Sequence, residues 1–180
     1  MDFNSFDSRT AADEGRPLHF THPDTGELLW DDGGPQFDEA GNELPRSRPC
    51  IAHVLGTEGR RAQEIGRETA KLPALPDEAT LEDYHARLCA TARQLVTGFD
   101  NIDRGERPAT AADVDWVLGL NLANPAHRGK GRSFVEQILT FSGSRGHYLG
   151  KSGAASSEPP SKSGGKTRAP KAGSARARKT

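Results

Sequence analysis

Six histidines, two cysteines and scattered carboxylates carry most of the catalytic and metal-binding chemistry open to this sequence, so their spacing decides which reactions it can support. The histidines are His19, His22, His53, His85, His127 and His147; none is expected at i, i+4 to another ligand on a helix, and no HExxH or CxxC motif gathers them into a ligand set. His19 and His22 flank a turn and would point to opposite faces of a strand, which reads as hydrogen-bonded surface imidazole. Cys50 and Cys89 are far apart and fit neither a metal nor a redox spacing; free, mostly buried thiols in a reducing cytosol are expected. Asp31-Asp32 and Asp100 with Asp103 are carboxylate pairs of a kind that can hold a cation, although solvated loop acids are the commoner arrangement. There is no GxSxG, Walker or GxGxxG loop, which leaves nucleophile, nucleotide and dinucleotide chemistry without a starting point. The sequence therefore predicts no catalytic residue, no metal and no cofactor.

Charge is the strongest signal. The formal net charge of -1 hides a partition. Residues 151–180 hold eight Lys or Arg against one acid, Glu158, a charge of +7, and the other 150 residues carry -8. Lys162, Lys166, Arg168, Lys171, Arg176, Arg178 and Lys179 are candidate contacts for a polyanion, which a basic segment binds through counterion release without reading sequence. Interleaved aromatics are lacking, so base stacking is not on offer. From Gly150 onward no large hydrophobe occurs, and such a composition cannot offset the entropy of ordering. A disordered basic tail is expected, either solubilising, bound to nucleic acid, or folded back on the acidic body.

The elements that would position these residues divide the chain into a flexible N-terminus at 1–15, a compact body at 16–150 and the tail. Hydrophobic residues make up only 33% and the mean hydropathy is -0.72, so the core is modest and no run approaches the roughly 20 apolar residues of a membrane span. The opening residues also lack the charge and apolar run of a signal peptide, and a cytoplasmic protein is expected.

Within the body, 16–56 reads as β-rich. Leu18, Phe20 and Leu28-Leu29-Trp30 flank His22-Pro23-Asp24-Thr25-Gly26-Glu27, where Pro23 presets the turn and Gly26 supplies a left-handed residue, so a hairpin over 17–31 is expected. A weaker hairpin follows around Asp38 to Asn42, and Cys50 to Leu55 reads as a strand. Residues 57–150 read as helical. A short polar helix over 60–71 precedes three amphipathic helices. The first starts at Thr80, with Asp83 as its capping-box partner, and carries Leu81, Tyr84, Leu88, Ala92, Leu95 and Phe99 on one face, with Gly98 as C-cap. The second starts at Thr110 with Asp113 and carries Val114, Val117, Leu118 and Leu120. The third follows Ser133. The fold class is α+β: a small N-terminal antiparallel hairpin region, then about three amphipathic helices, then the tail.

The order of these features resembles the tail assembly chaperones of bacteriophages and gene-transfer agents. Pro17-Leu18-His19-Phe20 with His22-Pro23-Asp24-Thr25-Gly26-Glu27 is similar to that family's opening hairpin with its P-x-T-G-E turn. Val54-Leu55-Gly56-Thr57-Glu58 is similar to its short strand before a polar helix. Val96-Thr97-Gly98-Phe99-Asp100-Asn101-Ile102 resembles its G-W-x-N-hydrophobic signature, with Phe99 at the usual tryptophan. Thr110 to Leu120, Asn124-Pro125, Glu136-Gln137-Ile138 and Tyr148-Leu149 resemble its closing helices. The likeness implies a non-catalytic protein of the host cytoplasm, left out of the mature virion. Such a protein binds the tape measure protein, keeps it soluble and helps tail-tube protein polymerise around it. Candidate contacts on the last three helices are Phe99, Trp116, Phe134 and Phe141. The competing expectation is a small adaptor that holds nucleic acid through its basic tail; an unrecognised enzyme comes last.

Overall fold

A computed structural model describes residues 7–127 and 129–149 of the chain. The basic segment 151–180, with its expected disorder and its polyanion contacts, lies outside the described residues.

The chain starts in a helix. Asp7 caps α1 (Ser8–Glu14) by accepting from the Arg9 and Thr10 backbone N–H groups. Ala11 and Ala12 of α1 are buried against Tyr148. Within the stretch 1–15, expected to be flexible, Ser8–Glu14 forms this capped helix, and residues 1–6 lie outside the described residues. The two small residues of α1 let it lie close to the body.

Gly15, at φ +83°, turns the chain into β1 (Arg16–His19). This strand was expected to fold back on 28–31 as an N-terminal hairpin. Instead it pairs antiparallel with β2 (Ile51–Val54), more than thirty residues on, with Leu18 opposite Ala52. The turn itself forms as read. Gly26 sits at φ +74°, its N–H donates to the His22 carbonyl, and Thr21 bridges Leu28. Beyond it the 28–30 stretch leaves β1, and Trp30 bridges Pro49. Pairing with β2 lets β1 share the core face of Ala52 and Val54, both fully buried, a gain that a solvated two-stranded ribbon lacks.

After α2 (Arg60–Ala70) comes α3 (Leu81–Leu95), whose Thr80–Asp83 capping box forms as expected. The helix ends three residues short of Gly98 and runs without a loop into β3 (Val96–Asp100). β3 pairs antiparallel with β2, giving the sheet order β1-β2-β3, and a register shift falls where Thr97 is the extra residue. Val96, Thr97 and Phe99 favour extended backbone, and β2 offers them a ladder, so strand wins over another turn of helix. Gly98 is therefore no C-cap, and Phe99 lies opposite Ala52 on the core face of the sheet.

A true two-stranded hairpin, β4 (Asp103–Arg104) and β5 (Arg107–Pro108), follows around Gly105 at φ +68°. A 3₁₀ turn over Ala111–Asp113 opens the short α4 (Val114–Leu118), with the expected Thr110–Asp113 box. Ser133 and Glu136 box the start of α5 (Phe134–Gly143), and a last 3₁₀ turn spans Arg145–His147. The described residues hold five α-helices where three amphipathic ones were expected, and strands interleave with helices instead of preceding them. The class is α+β. One face of the sheet packs on α3 and α5, and Phe20, Val54, Leu55, Leu118, Val135 and Ile138 form the centre of the core.

Candidate partner-binding surface

α3 and the segment after α4 meet through a buried histidine. His85 Nδ1 accepts the Ala123 N–H at 3.1 Å, while Nε2 faces Cys89 Sγ at 3.2 Å. A neutral ring that accepts at Nδ1 carries its proton on Nε2, so the imidazole donates toward sulfur. Burial pushes the Cys89 thiol above its ordinary value. A thiol that resists ionisation is a poor nucleophile, and the pair acts as a polar rivet in the core. The two stand four residues apart on one face of α3, which corrects the expectation that no histidine lies at i, i+4 to another ligand on a helix.

The rivet sets how the chain leaves α4. Ala123 is fully buried, and the Asn121 side-chain oxygen accepts the Phe134 N–H at 2.9 Å. With the chain held at these two points, Leu120 and Leu122 turn outward and are 52% and 46% exposed. Leu120 had been placed on the buried face of a longer helix; the helix stops at Leu118, so the register that would bury Leu120 ends before it. Beside Leu122 an open cleft of about 200 Å³ lies between the 22–26 turn, the start of α3 and the start of α5. Pro23, Leu81 and Leu122 supply its apolar wall, and Asp24, His127 and Glu136 its polar rim.

The four residues expected to meet a partner are spread over β3, α4 and α5, half-buried against the core. Phe99 is on β3, not on a helix. Trp116, on α4, lies under the Arg104 guanidinium at 5.6 Å. Phe134 packs at 4.8 Å from Phe20, with the ring planes tilted. Phe141 stacks on His147 at 4.2 Å and meets Tyr148 edge-on. The larger exposed hydrophobes are Phe37, Leu44, Leu72, Leu75, Leu120 and Leu122, none of which the amphipathic spacing had put forward as a contact.

Compared with known proteins, this chain matches no family model, no curated protein and no solved structure. Its likeness to tail assembly chaperones stands on the quoted motifs alone.

The remaining polar clusters are tied into the fold. Asp113 is buried and accepts from Arg104 (2.8 Å), from both terminal nitrogens of Arg107 (2.6 and 2.8 Å) and from the Thr110 N–H and hydroxyl. The Arg107 guanidinium, the Thr110 backbone and Arg104 together hold its carboxyl far below the usual carboxylate range. The cluster fastens the β4–β5 hairpin to the start of α4. His53 Nε2 lies within hydrogen-bond distance of Asp100 Oδ2, at 2.7 Å. His19 Nε2 lies 2.6 Å from the Leu29 carbonyl, and His22 Nδ1 accepts from the Asp24 N–H inside the turn. Both histidines expected to be hydrogen-bonded near the surface thus hold the first turn in place. Among the described residues no three His, Cys, Asp or Glu side chains gather to hold a metal ion. No helix among them is long and apolar enough to cross a membrane.

Proposed function

We propose that this chain is a non-catalytic tail assembly chaperone, which binds the tape measure protein in the host cytoplasm and helps tail-tube protein assemble around it. The motif order supplies the family. The observation that carries the binding reading is the exposed pair Leu120 and Leu122 beside a cleft walled by Leu81 and Pro23. Exposed leucines that continue into a concavity form a surface on which an apolar helix stripe loses water without any rearrangement of the core. A tape measure protein is long, helical and apolar along one side, and it needs such cover until the tube encloses it. The four aromatic residues at the core margin contribute by holding the surface in shape, and Trp116 stands nearest to it in sequence.

The test is co-expression with a candidate tape measure protein, followed by pull-down. Leu120→Ser with Leu122→Ser removes the exposed pair and leaves the core untouched. The partner is expected to move to the insoluble fraction, while the thermal midpoint of the variant stays close to that of the parent. Equal retention of soluble partner by variant and parent would overturn the reading. Phe134→Ala serves as the contrasting variant, since it is expected to lower stability together with binding.

A further inference from the structure

We propose that the chain's own basic segment, residues 151–180, occupies the cleft between the 22–26 turn, the start of α3 and residues 121–127. This contact goes beyond the tail-assembly reading and does not depend on it. Three observations lead to it.

The first is the make-up of the cleft. Leu81, Leu122 and Pro23 give it an apolar wall, Asp24 and Glu136 put carboxylates at its rim, and no Lys or Arg among the described residues lines it. The sequence around the start of α3 carries Asp77, Glu78, Glu82 and Asp83, and the whole stretch 72–86 contains no Lys or Arg. Arg128, Lys130 and Arg132 are the cations of the neighbouring loop; Arg128 lies outside the described residues, and Arg132 donates to the Thr140 hydroxyl at 3.0 Å.

The second is complementarity. The segment carries +7 against the -8 of the preceding 150 residues. It has no large hydrophobe to bury, but Lys and Arg stems lie along leucine and proline surface while their heads reach carboxylates. A 200 Å³ cleft with an apolar wall and an acidic rim suits one such side chain at a time. Interchangeable basic residues along the segment would therefore share the site.

The third is reach. The 31 residues after Leu149 span at most about 100 Å at roughly 3.3 Å each, against a radius of gyration of about 15 Å for a body of this size. Tethering places the basic groups at about millimolar effective concentration near every part of the body, so weak pairings become populated without a tight site. Such a contact is sensitive to salt, since the screening length falls from about 30 Å at 0.01 M to about 3 Å at 1 M.

The experiment compares amide ¹H–¹⁵N spectra of the full-length protein at low and high salt with those of a full-length variant whose eight Lys and Arg residues in 151–180 are replaced by Gln. The amides of Leu81, Leu122, Asn124 and His127 are expected to shift with salt in the parent. In the variant they should already sit at the parent's high-salt positions, while those of the β4–β5 hairpin stay put. Asp24→Asn with Glu136→Gln, which keeps a residue able to complete the Ser133 capping box, should remove more than half of the salt response. Identical cleft shifts in parent and tail variant would overturn the proposal. So would shifts that track protein concentration, which would make a second copy the occupant. Equal movement at the acidic 31–43 stretch would overturn it too, by showing diffuse attraction with no preference for the cleft.

Discussion

The Gln137 side-chain amide pairs with both backbone groups of Thr21: its Oε1 accepts the Thr21 N–H and its Nε2 donates to the Thr21 carbonyl, each at 2.8 Å. A side chain on α5 thus stands where a neighbouring strand would stand, 116 residues away in sequence. The same Nε2 donates to the Arg132 carbonyl at 2.7 Å, so one amide ties the first turn and the loop before α5 together. These are the walls of the cleft.

Gln137→Ala leaves the Thr21 N–H and two carbonyls without their partner in a buried setting, a loss of about 1–3 kcal/mol. Gln137→Glu is more informative. Its carboxylate still accepts from Thr21 but turns a second oxygen toward carbonyls, so the folded state favours the protonated acid and raises its pKa. A group raised on folding adds stability below its unfolded pKa, near 4, and loses it as pH rises through the folded value. Urea midpoints of the Glu variant should therefore approach those of the parent at acid pH and fall away toward neutrality; a gap that stays constant with pH would contradict this.

Asp113 gives the opposite slope. Its folded pKa is depressed by Arg107, Thr110 and Arg104, so its contribution is complete above about pH 4, the unfolded value, and is lost as pH falls toward the folded one. Thermal melts of the parent should drop through the acid range. Asp113→Asn should lower the midpoint at pH 7 and flatten that acid branch, since the variant has no carboxylate there to protonate.

Two glycines predict opposite signs for the same substitution. A Cβ on Gly56 would lie 2.7 Å from Ala12 Cβ and 2.9 Å from two ring carbons of Tyr148, whose hydroxyl donates to the Val54 carbonyl. Gly56→Ala must push α1 or the tyrosine aside and should cost about 1–3 kcal/mol. Gly66 sits within α2 with no atom near its would-be Cβ. Gly66→Ala should stabilise by about 0.5–1 kcal/mol through helix propensity. Denaturant midpoints moving in the same direction would refute the packing argument.

Both thiols should react slowly in the native protein. Burial raises the Cys89 thiol, and burial with nearby Asp31 and Asp103 raises that of Cys50, which donates to the Asn101 carbonyl at 3.2 Å. Each unit of upward shift lowers the thiolate fraction about ten-fold near neutral pH. Timed reaction with a disulfide reagent at pH 7 should show slow native kinetics and rapid modification of both residues in urea, with Cys89 the slower before unfolding.

How much of this was legible in the sequence depends on the range over which each feature is decided. Thr80 with Asp83 and Thr110 with Asp113 announce their capping boxes within three residues, and Gly26 announces its left-handed turn, because those energies involve only adjacent backbone. The charge partition at residue 150 is likewise a property of composition. What the 18–20 stretch pairs with, however, is a competition between Leu28–Trp30 nearby and Ile51–Val54 far away. Local turn chemistry wins at Phe20 and Thr21, which pair with Leu29 and Leu28, and burial of the Ala52 and Val54 face wins over 16–19.

The same holds at the candidate surface. Leu120 continues a helical spacing and reads as core, yet α4 ends at Leu118, and the His85–Ala123 bond then holds the chain so that Leu120 and Leu122 face water. Phe99 continues the α3 spacing and reads as helical, yet β2 draws it into a strand. Sequence by itself determined where α3, α4, α5 and the 22–26 turn begin and how the charge divides. Only the tertiary structure decided which apolar residues are spent on the core and which are left outside, because burial is shared among segments as far apart as Ala12 and Tyr148 and no local window contains both partners.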